Sequence, residues 1–102
     1  MTQIPVNKAQ ELLAAWVDEV IMPKSSPVQK AMITLALLQR GPDLASMLQP
    51  LADSKGFINS DNLIAALDKA GGSITIPYIN WVFDRDDLDK LIEKAKVMYG
   101  NQ

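Results

Sequence analysis

Apolar residues recur with a helical period near the start of the chain. In VNKAQELLAAWVDEVIMP they fall at i, i+1, i+4, i+5, i+8 and i+9, which is one broad stripe of an amphipathic helix. Asn7 stands where an N-cap belongs, and Gln10 follows at the spacing of a capping box. Pro23 disfavours helical geometry at the residue before it, so the pattern predicts a helix that ends near Met22.

The next segment, SSPVQKAMITLALLQRGP, has the clearest helix signals in the chain. Ser26 and Gln29 have the spacing of a capping box around Pro27, which suits the first helical position. Gly41 followed by Pro42 is a typical stop signal. Because AMITLALL is apolar at seven of its eight positions, we expect this helix to lie at the centre of the fold or at an interface.

Shorter helices are predicted in the second half of the chain. Pro50 in PDLASMLQPLADSKG cannot donate a backbone hydrogen bond, so two short pieces are expected with a break near Gln49. SDNLIAALDKAGG is amphipathic, with Asn59 or Ser60 as its N-cap and Gly71 at its end.

Two further helical segments are expected before the C-terminus. The apolar run PYINWVF is predicted to be a short helix that begins at Pro77. RDDLDKLIEKAKVMYG is predicted to be an amphipathic helix with Asp84 as its N-cap and Gly100 at its end.

Two short segments have the composition of strands. In GSITIP the β-branched residues Ile74, Thr75 and Ile76 alternate, and GFIN is the plausible partner segment. We therefore expect at most one minimal two-strand β-ribbon, around residues 56–59 and 73–76. The whole chain is predicted to be all-α: one domain over residues 1–102, with five to six short helices.

Composition agrees with one folded domain. The chain has 102 residues, of which 48% are apolar and 22% are charged, as is ordinary for globular proteins. The net charge is −2, so no positive field is available to attract nucleic acid. No targeting segment and no apolar run of about 18 residues is present, so we expect no membrane association and a cytoplasmic location.

The absence of cysteine and histidine removes most familiar catalytic chemistry. Disulfides, zinc fingers and thiol nucleophiles are excluded, as are the commonest metal ligand and the commonest general base. The sequence therefore predicts no catalytic residue, no cofactor-binding residue and no enzyme activity.

The acidic stretch DRDDLD, residues 84–89, is interpreted as the start of a helix. Asp84 stands at the N-cap and Asp87 at N3, while Asp86 lies in the first turn, where the helix dipole favours anions. A calcium loop starting at Asp84 would need glycine at position six and an acid at position twelve. Asp89 and Ala95 stand there, so no metal site is predicted.

A second stretch, LADSKGFINSDN, resembles the loop of the EF-hand family. Gly56 and Ile58 match the glycine and the strand residue of that loop. Positions one, three, five and twelve are occupied by Leu51, Asp53, Lys55 and Asn62. Because Asp53 is the single acidic ligand among these, the resemblance implies a helix-strand-helix shape and no calcium.

Residues 60–83 raise the alternative of a nucleic-acid-associated regulator with a helix-turn-helix-like segment. The part of this segment that would enter a DNA groove, residues 72–83, contains no lysine or arginine. Phosphate anchors and the usual base-reading side chains are therefore missing there, and nucleic acid is an unlikely partner.

Our principal hypothesis is a non-enzymatic protein-protein interaction module, a small adaptor or regulator that binds itself or another protein. The apolar helix and the aromatic cluster exceed what a small domain easily covers, and such surfaces are typical of interaction sites. A second alternative is a ligand carrier or enzyme with a dry apolar pocket lined by Trp16 and Trp81. The candidate interaction surface consists of Met32, Leu35, Tyr78, Trp81, Val82 and Phe83.

Overall fold

Four α-helices and two antiparallel ribbons make up residues 2–100, the part of the chain that the structure, a computed structural model, describes. Short 3₁₀ or π turns flank the helices at Val6–Lys8, Val17–Ile21, Met22–Lys24 and Gln49–Leu51. The main elements in chain order are β1 (Gln3–Pro5), α1 (Ala9–Trp16), α2 (Pro27–Ser46), β2 (Phe57–Asn59), α3 (Ser60–Lys69), β3 (Ser73–Ile76), β4 (Trp81–Asp84) and α4 (Arg85–Tyr99).

The prediction of an all-α domain with five to six helices and at most one ribbon is wrong. Within residues 2–100 there are fewer helices, because α2 is one long helix where the sequence indicated a stop. There are also two ribbons, because β1 lies in a segment without a strand signal of its own and β4 lies where a helix was expected. The errors therefore concern helix ends, the type of one element and strand pairing.

β1 and β2 form the first antiparallel ribbon. Ile4 lies opposite Ile58, and both side chains are fully buried. The prediction that β2 pairs with the segment around residues 73–76 is wrong, because that segment forms β3 and pairs with β4. A strand of three residues is too short to show an alternating pattern, so β1 had no signal in the sequence.

β3 and β4 form the second ribbon, a hairpin closed by residues 77–80. Ile74 pairs with Phe83 and Ile76 with Trp81, so these four side chains share one face. The helix predicted to begin at Pro77 is therefore wrong. Trp-Val-Phe is a strong strand former, and the preference of this run for a sheet prevails over its helical spacing.

α1 begins without the predicted cap. A 3₁₀ turn over Val6–Lys8 precedes it, and no side chain accepts a hydrogen bond from its first amides. After Trp16 the helical path continues as a π turn and a 3₁₀ turn that contains Pro23. Val17 and Ile21 in the π turn are buried. Since the 3₁₀ turn extends to Lys24, the helix end predicted near Met22 falls within this continuation.

α2 begins as predicted and ends later than predicted. The capping box is confirmed, since Gln29 N donates to Ser26 Oγ over 3.2 Å and Ser26 N donates to Gln29 Oε1 over 2.8 Å. Gly41 is not a stop, because it is buried within the helix. A Cβ atom at Gly41 would lie 2.7 Å from Gln10 Nε2, so the end of the Gln10 side chain of α1 lies against the bare backbone of Gly41.

The core lies between the inward faces of α1, α3, α4 and the two ribbons. The rings of Trp16 and Phe83 meet edge to face with their centroids 5.2 Å apart. In α2, all of which the structure describes, Ile33, Gly41 and Leu44 are the buried residues. The largest fully buried side chains are Trp16, Ile4, Leu12, Ile21, Ile58 and Leu88. α2 therefore lies at the margin of the core, which differs from the central position that its apolar composition allowed.

None of the helices within residues 2–100 combines the length and the apolar character that spanning a bilayer requires.

Candidate functional site

The acidic stretch caps α4, as predicted. Asp87 N donates to Asp84 Oδ1 over 3.0 Å, and Asp84 N donates to Asp87 Oδ2 over 3.4 Å. The same Asp87 oxygen also accepts from Trp81 Nε1 over 3.0 Å, a bond that fixes the indole against the start of α4. Sequence reasoning missed this bond because it placed Trp81 on a helix.

The stretch that resembles an EF-hand loop, residues 51–62, starts at the end of the 3₁₀ turn Gln49–Leu51, contains β2 and enters α3, so a strand lies between two helical segments. Asp53 Oδ1 accepts from Lys55 N over 2.9 Å and from Phe57 N over 3.0 Å. The bond from Phe57 is the largest cause that holds the pKa of Asp53 below its usual value. No group of three or more acidic, histidine or cysteine side chains that would suit a metal occurs within residues 2–100.

The six candidate interaction residues differ in their exposure to solvent. Met32 and Leu35 are exposed on α2, and Tyr78 and Val82 are exposed on the hairpin. Trp81 is half-buried, and its indole nitrogen is already bonded to Asp87. The sixth residue, Phe83, is buried against Trp16 and is a core residue.

An apolar stripe on α2 faces solvent. Val28, Met32 and Leu35 recur at i, i+4 and i+7, with Leu38 one turn further, and their side chains are 53% to 78% exposed. We call these four residues the outward stripe. Ile33 and Leu44 lie on the opposite side of the helix and pack into the core. α2 therefore has two apolar faces, and one of them is uncovered.

Sequence reasoning missed Val28 and Leu38. Their signal is the i, i+4, i+7 spacing, which is visible once Ile33 and Leu44 are known to face the core. In a helix that is apolar on both sides, the sequence does not distinguish the buried face from the exposed one.

The hairpin tip lies beside α2. The Arg40 guanidinium carbon is 5.3 Å from the centroid of the Tyr78 ring, which is a cation-π geometry. Tyr78 has a φ of +71° and Asn80 a φ of +53°, both in the left-handed region. The tip therefore presents a half-exposed ring in a conformation that non-glycine residues disfavour.

A cavity with charged walls lies between α4 and the π and 3₁₀ turns that follow α1. It has a volume of about 500 Å³, and Trp16 contributes to its floor. Lys94 Nζ and Glu19 Oε2 are 2.9 Å apart in its wall, so their charges offset each other. Trp16 Nε1 is buried and finds no hydrogen-bond partner within the described residues. Since that nitrogen is closed to solvent, it offers no donor to a ligand in this cavity.

A second cavity, which we call the apolar cleft, lies among the four helices and the second ribbon. It has a volume of about 350 Å³ and is lined by fourteen residues, all apolar. Leu44 comes from α2 and Met47 from the residue after it, while Leu63 and Leu67 come from α3 and Ile74 from β3. Trp81 lines neither of these two cavities, whereas Trp16 lines the first.

Comparison with protein-family models, curated proteins and solved structures produced no match. The function is therefore inferred from the geometry of the outward stripe and the apolar cleft.

Proposed function

We propose that this chain is a non-enzymatic protein-protein interaction module that self-associates through the outward stripe of α2. The observation that supports the proposal is the exposure of four large apolar side chains on one face of a helix, about two-thirds exposed on average. Amphipathic surface helices normally turn such a stripe toward the core and place polar residues outside. A contiguous apolar face toward water is typical of an interface.

A second copy of the chain is a suitable partner for this face. The outward stripe has no charged residue, and a net charge of −2 produces little repulsion between copies. In an antiparallel pair related by a twofold axis, the Val28 end of one stripe lies against the Leu38 end of the other. Such an interface is closed by symmetry and also opposes the two helix dipoles favourably.

The small size of this contact favours a reversible dimer. Four side chains from each copy form it, which is few for a permanent interface. We therefore expect the dimer to dissociate on dilution.

Sedimentation velocity over a concentration series, from about 1 µM to about 1 mM, tests the proposal. We expect the mass to rise from the 11.2 kDa of one chain toward twice that value. The double substitution Met32→Lys and Leu35→Lys is expected to keep the protein monomeric, because it places two charges in the centre of the contact.

Val97→Lys is the matched control for this experiment. Val97 is 77% exposed on α4, so the substitution makes a similar chemical change away from the outward stripe. It should leave the dimer intact, and circular dichroism checks that each variant is folded. A wild-type mass of 11.2 kDa at every concentration would refute self-association.

The nucleic-acid alternative has less support in the geometry. The segment over residues 60–83 consists of α3 and a hairpin, in place of the two helices that a helix-turn-helix requires. The hairpin has no cationic side chain for phosphate contacts, and Lys69 and Arg85 lie outside it.

A further inference from the structure

The apolar cleft differs in position from the outward stripe. Leu44, in its wall, is nine residues from Leu35, which places the two side chains on opposite sides of α2 at 100° per residue. The volume of about 350 Å³ falls in the range of small-molecule sites. The cleft is therefore available as a separate binding site.

The lining of the cleft determines the charge of a ligand. All fourteen lining residues are apolar, and no ionisable side chain contributes to the wall among the described residues. A charged group that entered would lose its hydration without gaining a partner, which is strongly unfavourable. A complementary ligand is therefore uncharged and hydrocarbon-like, at least in the part that enters.

The volume of the cleft limits the size of its occupant. An apolar cavity of about 150 Å³ accommodates one benzene molecule, so this cleft has room for roughly two aromatic rings or an alkyl chain of similar bulk. One whole turn of α-helix, 5.4 Å long and about 10 Å across, occupies roughly 420 Å³, so the size of the cleft favours a small molecule over an inserted helix.

The mouth of the cleft allows entry of a small molecule. Met47 and Ile74 at its edge are exposed, whereas Leu63 and Leu67 in its wall are buried. The methionine side chain is flexible and adapts to different shapes. We infer that the apolar cleft binds a small, uncharged aliphatic or aromatic ligand of about two-ring size.

Titration with 6-propionyl-2-(dimethylamino)naphthalene, an uncharged two-ring dye whose emission brightens and shifts to the blue in apolar surroundings, tests the inference. We expect saturable binding at one dye per chain. Ala66→Phe is expected to weaken binding about tenfold or more, because its ring fills space in the cleft. Ala65→Phe is the matched control, since Ala65 is the exposed neighbour on α3 and does not line the cleft.

A second pair of variants covers the case in which Ala66→Phe does not fold. Ile74→Trp narrows the mouth, whereas Val82→Trp makes the same kind of change on the opposite face of the hairpin. Naphthalene should displace the dye, and 2-naphthoate, which has a similar shape with a negative charge, should not.

The Met32→Lys and Leu35→Lys double variant separates this site from the proposed interface. It should retain dye binding even though it removes the proposed dimer, so the two proposals fail independently. Binding that survives both Ala66→Phe and Ile74→Trp, or that disappears with the stripe variant, would overturn the inference. Dye binding that is absent from the wild type, or displaced equally by 2-naphthoate, would overturn it as well.

Discussion

Tyr78 follows a proline at the tip of the hairpin and has a left-handed backbone, a position that glycine usually occupies in a type II turn. A residue with a Cβ atom pays roughly 1–2 kcal/mol in this conformation. Its ring stacks against Arg40, so the strain accompanies a side chain held in a defined place. Backbone strain of this kind persists where the surrounding structure holds the residue in place, as the contact with Arg40 does here.

The strain at Tyr78 can be measured with two truncations. Tyr78→Gly and Tyr78→Ala both remove the ring, but glycine alone is unstrained at a φ of +71°. We expect the glycine variant to be more stable than the alanine variant by about 1 kcal/mol in urea unfolding. Equal stability of the two variants would contradict a left-handed backbone at this position.

Asp53 should make stability depend on pH in the acid range. The hydrogen bond from the backbone of Phe57 is the largest cause that lowers the pKa of Asp53 from its usual value of 3.8. The backbone hydrogen bond from Lys55 and the positive charge of Lys55 lower it further. The unfolded chain then takes up the proton at a higher pH than the folded chain does. The stabilisation is therefore present above pH 3.8 and is lost as the pH falls through the lowered folded-state value.

Asp53→Asn tests this dependence, because the amide keeps an acceptor oxygen and does not titrate. Between about pH 5 and about pH 2, the wild type should lose more thermal stability than the variant. The comparison uses the difference in melting temperature at each pH. Parallel curves for the two proteins would show that the loop does not favour the carboxylate.

At the scale of elements, α2 shows how one glycine can be misinterpreted. Gly41 followed by Pro42 is a typical stop, yet the helix continues to Ser46. A stop requires a left-handed glycine, whereas Gly41 has no positive φ and touches Gln10 of α1. Whether the helix ends at Gly41 depends on a tertiary contact between two helices, and the local sequence carries no information about that contact.

Gly41→Ala is expected to increase stability by about 0.5–1 kcal/mol, since alanine is a better helix former. The atom nearest to the new methyl group is the amide nitrogen of Gln10, at the end of an exposed and flexible side chain that can move away. Chemical unfolding measures the change. A loss of stability would mean that Gln10 is held in place.

The capping boxes of α2 and α4 were predictable, whereas the cap of α1 was predicted wrongly. Strands β2 and β3 were predicted, but their pairing partners were not. A capping box depends on two residues three positions apart, so Ser26 and Asp84 were identified from the sequence alone. Strand β1 has three residues and pairs with a segment more than fifty positions away. Pairing over that distance depends on the assembled core, and strands this short have too few residues to show alternation.

For the whole molecule, the sequence indicated surplus apolar surface and did not locate it. The prediction grouped α2 with residues 78–83, but Phe83 completes the core beside Trp16. The residues that line the apolar cleft come from four helices and a ribbon, so no single stretch of sequence has its signature. The outward stripe lies within one helix, and its recognition required knowledge of which face packs inward.

Because few residues of α2 are buried, the local stability of this helix depends on what packs against its exposed face. With Ile33, Gly41 and Leu44 as its buried residues, this fully described helix has little burial to oppose transient opening. Covering the opposite face with a second chain would add to the free energy of that opening. Amide hydrogen exchange along α2 should then slow as protein concentration rises, so that folding of this helix and assembly of the protein become one coupled equilibrium.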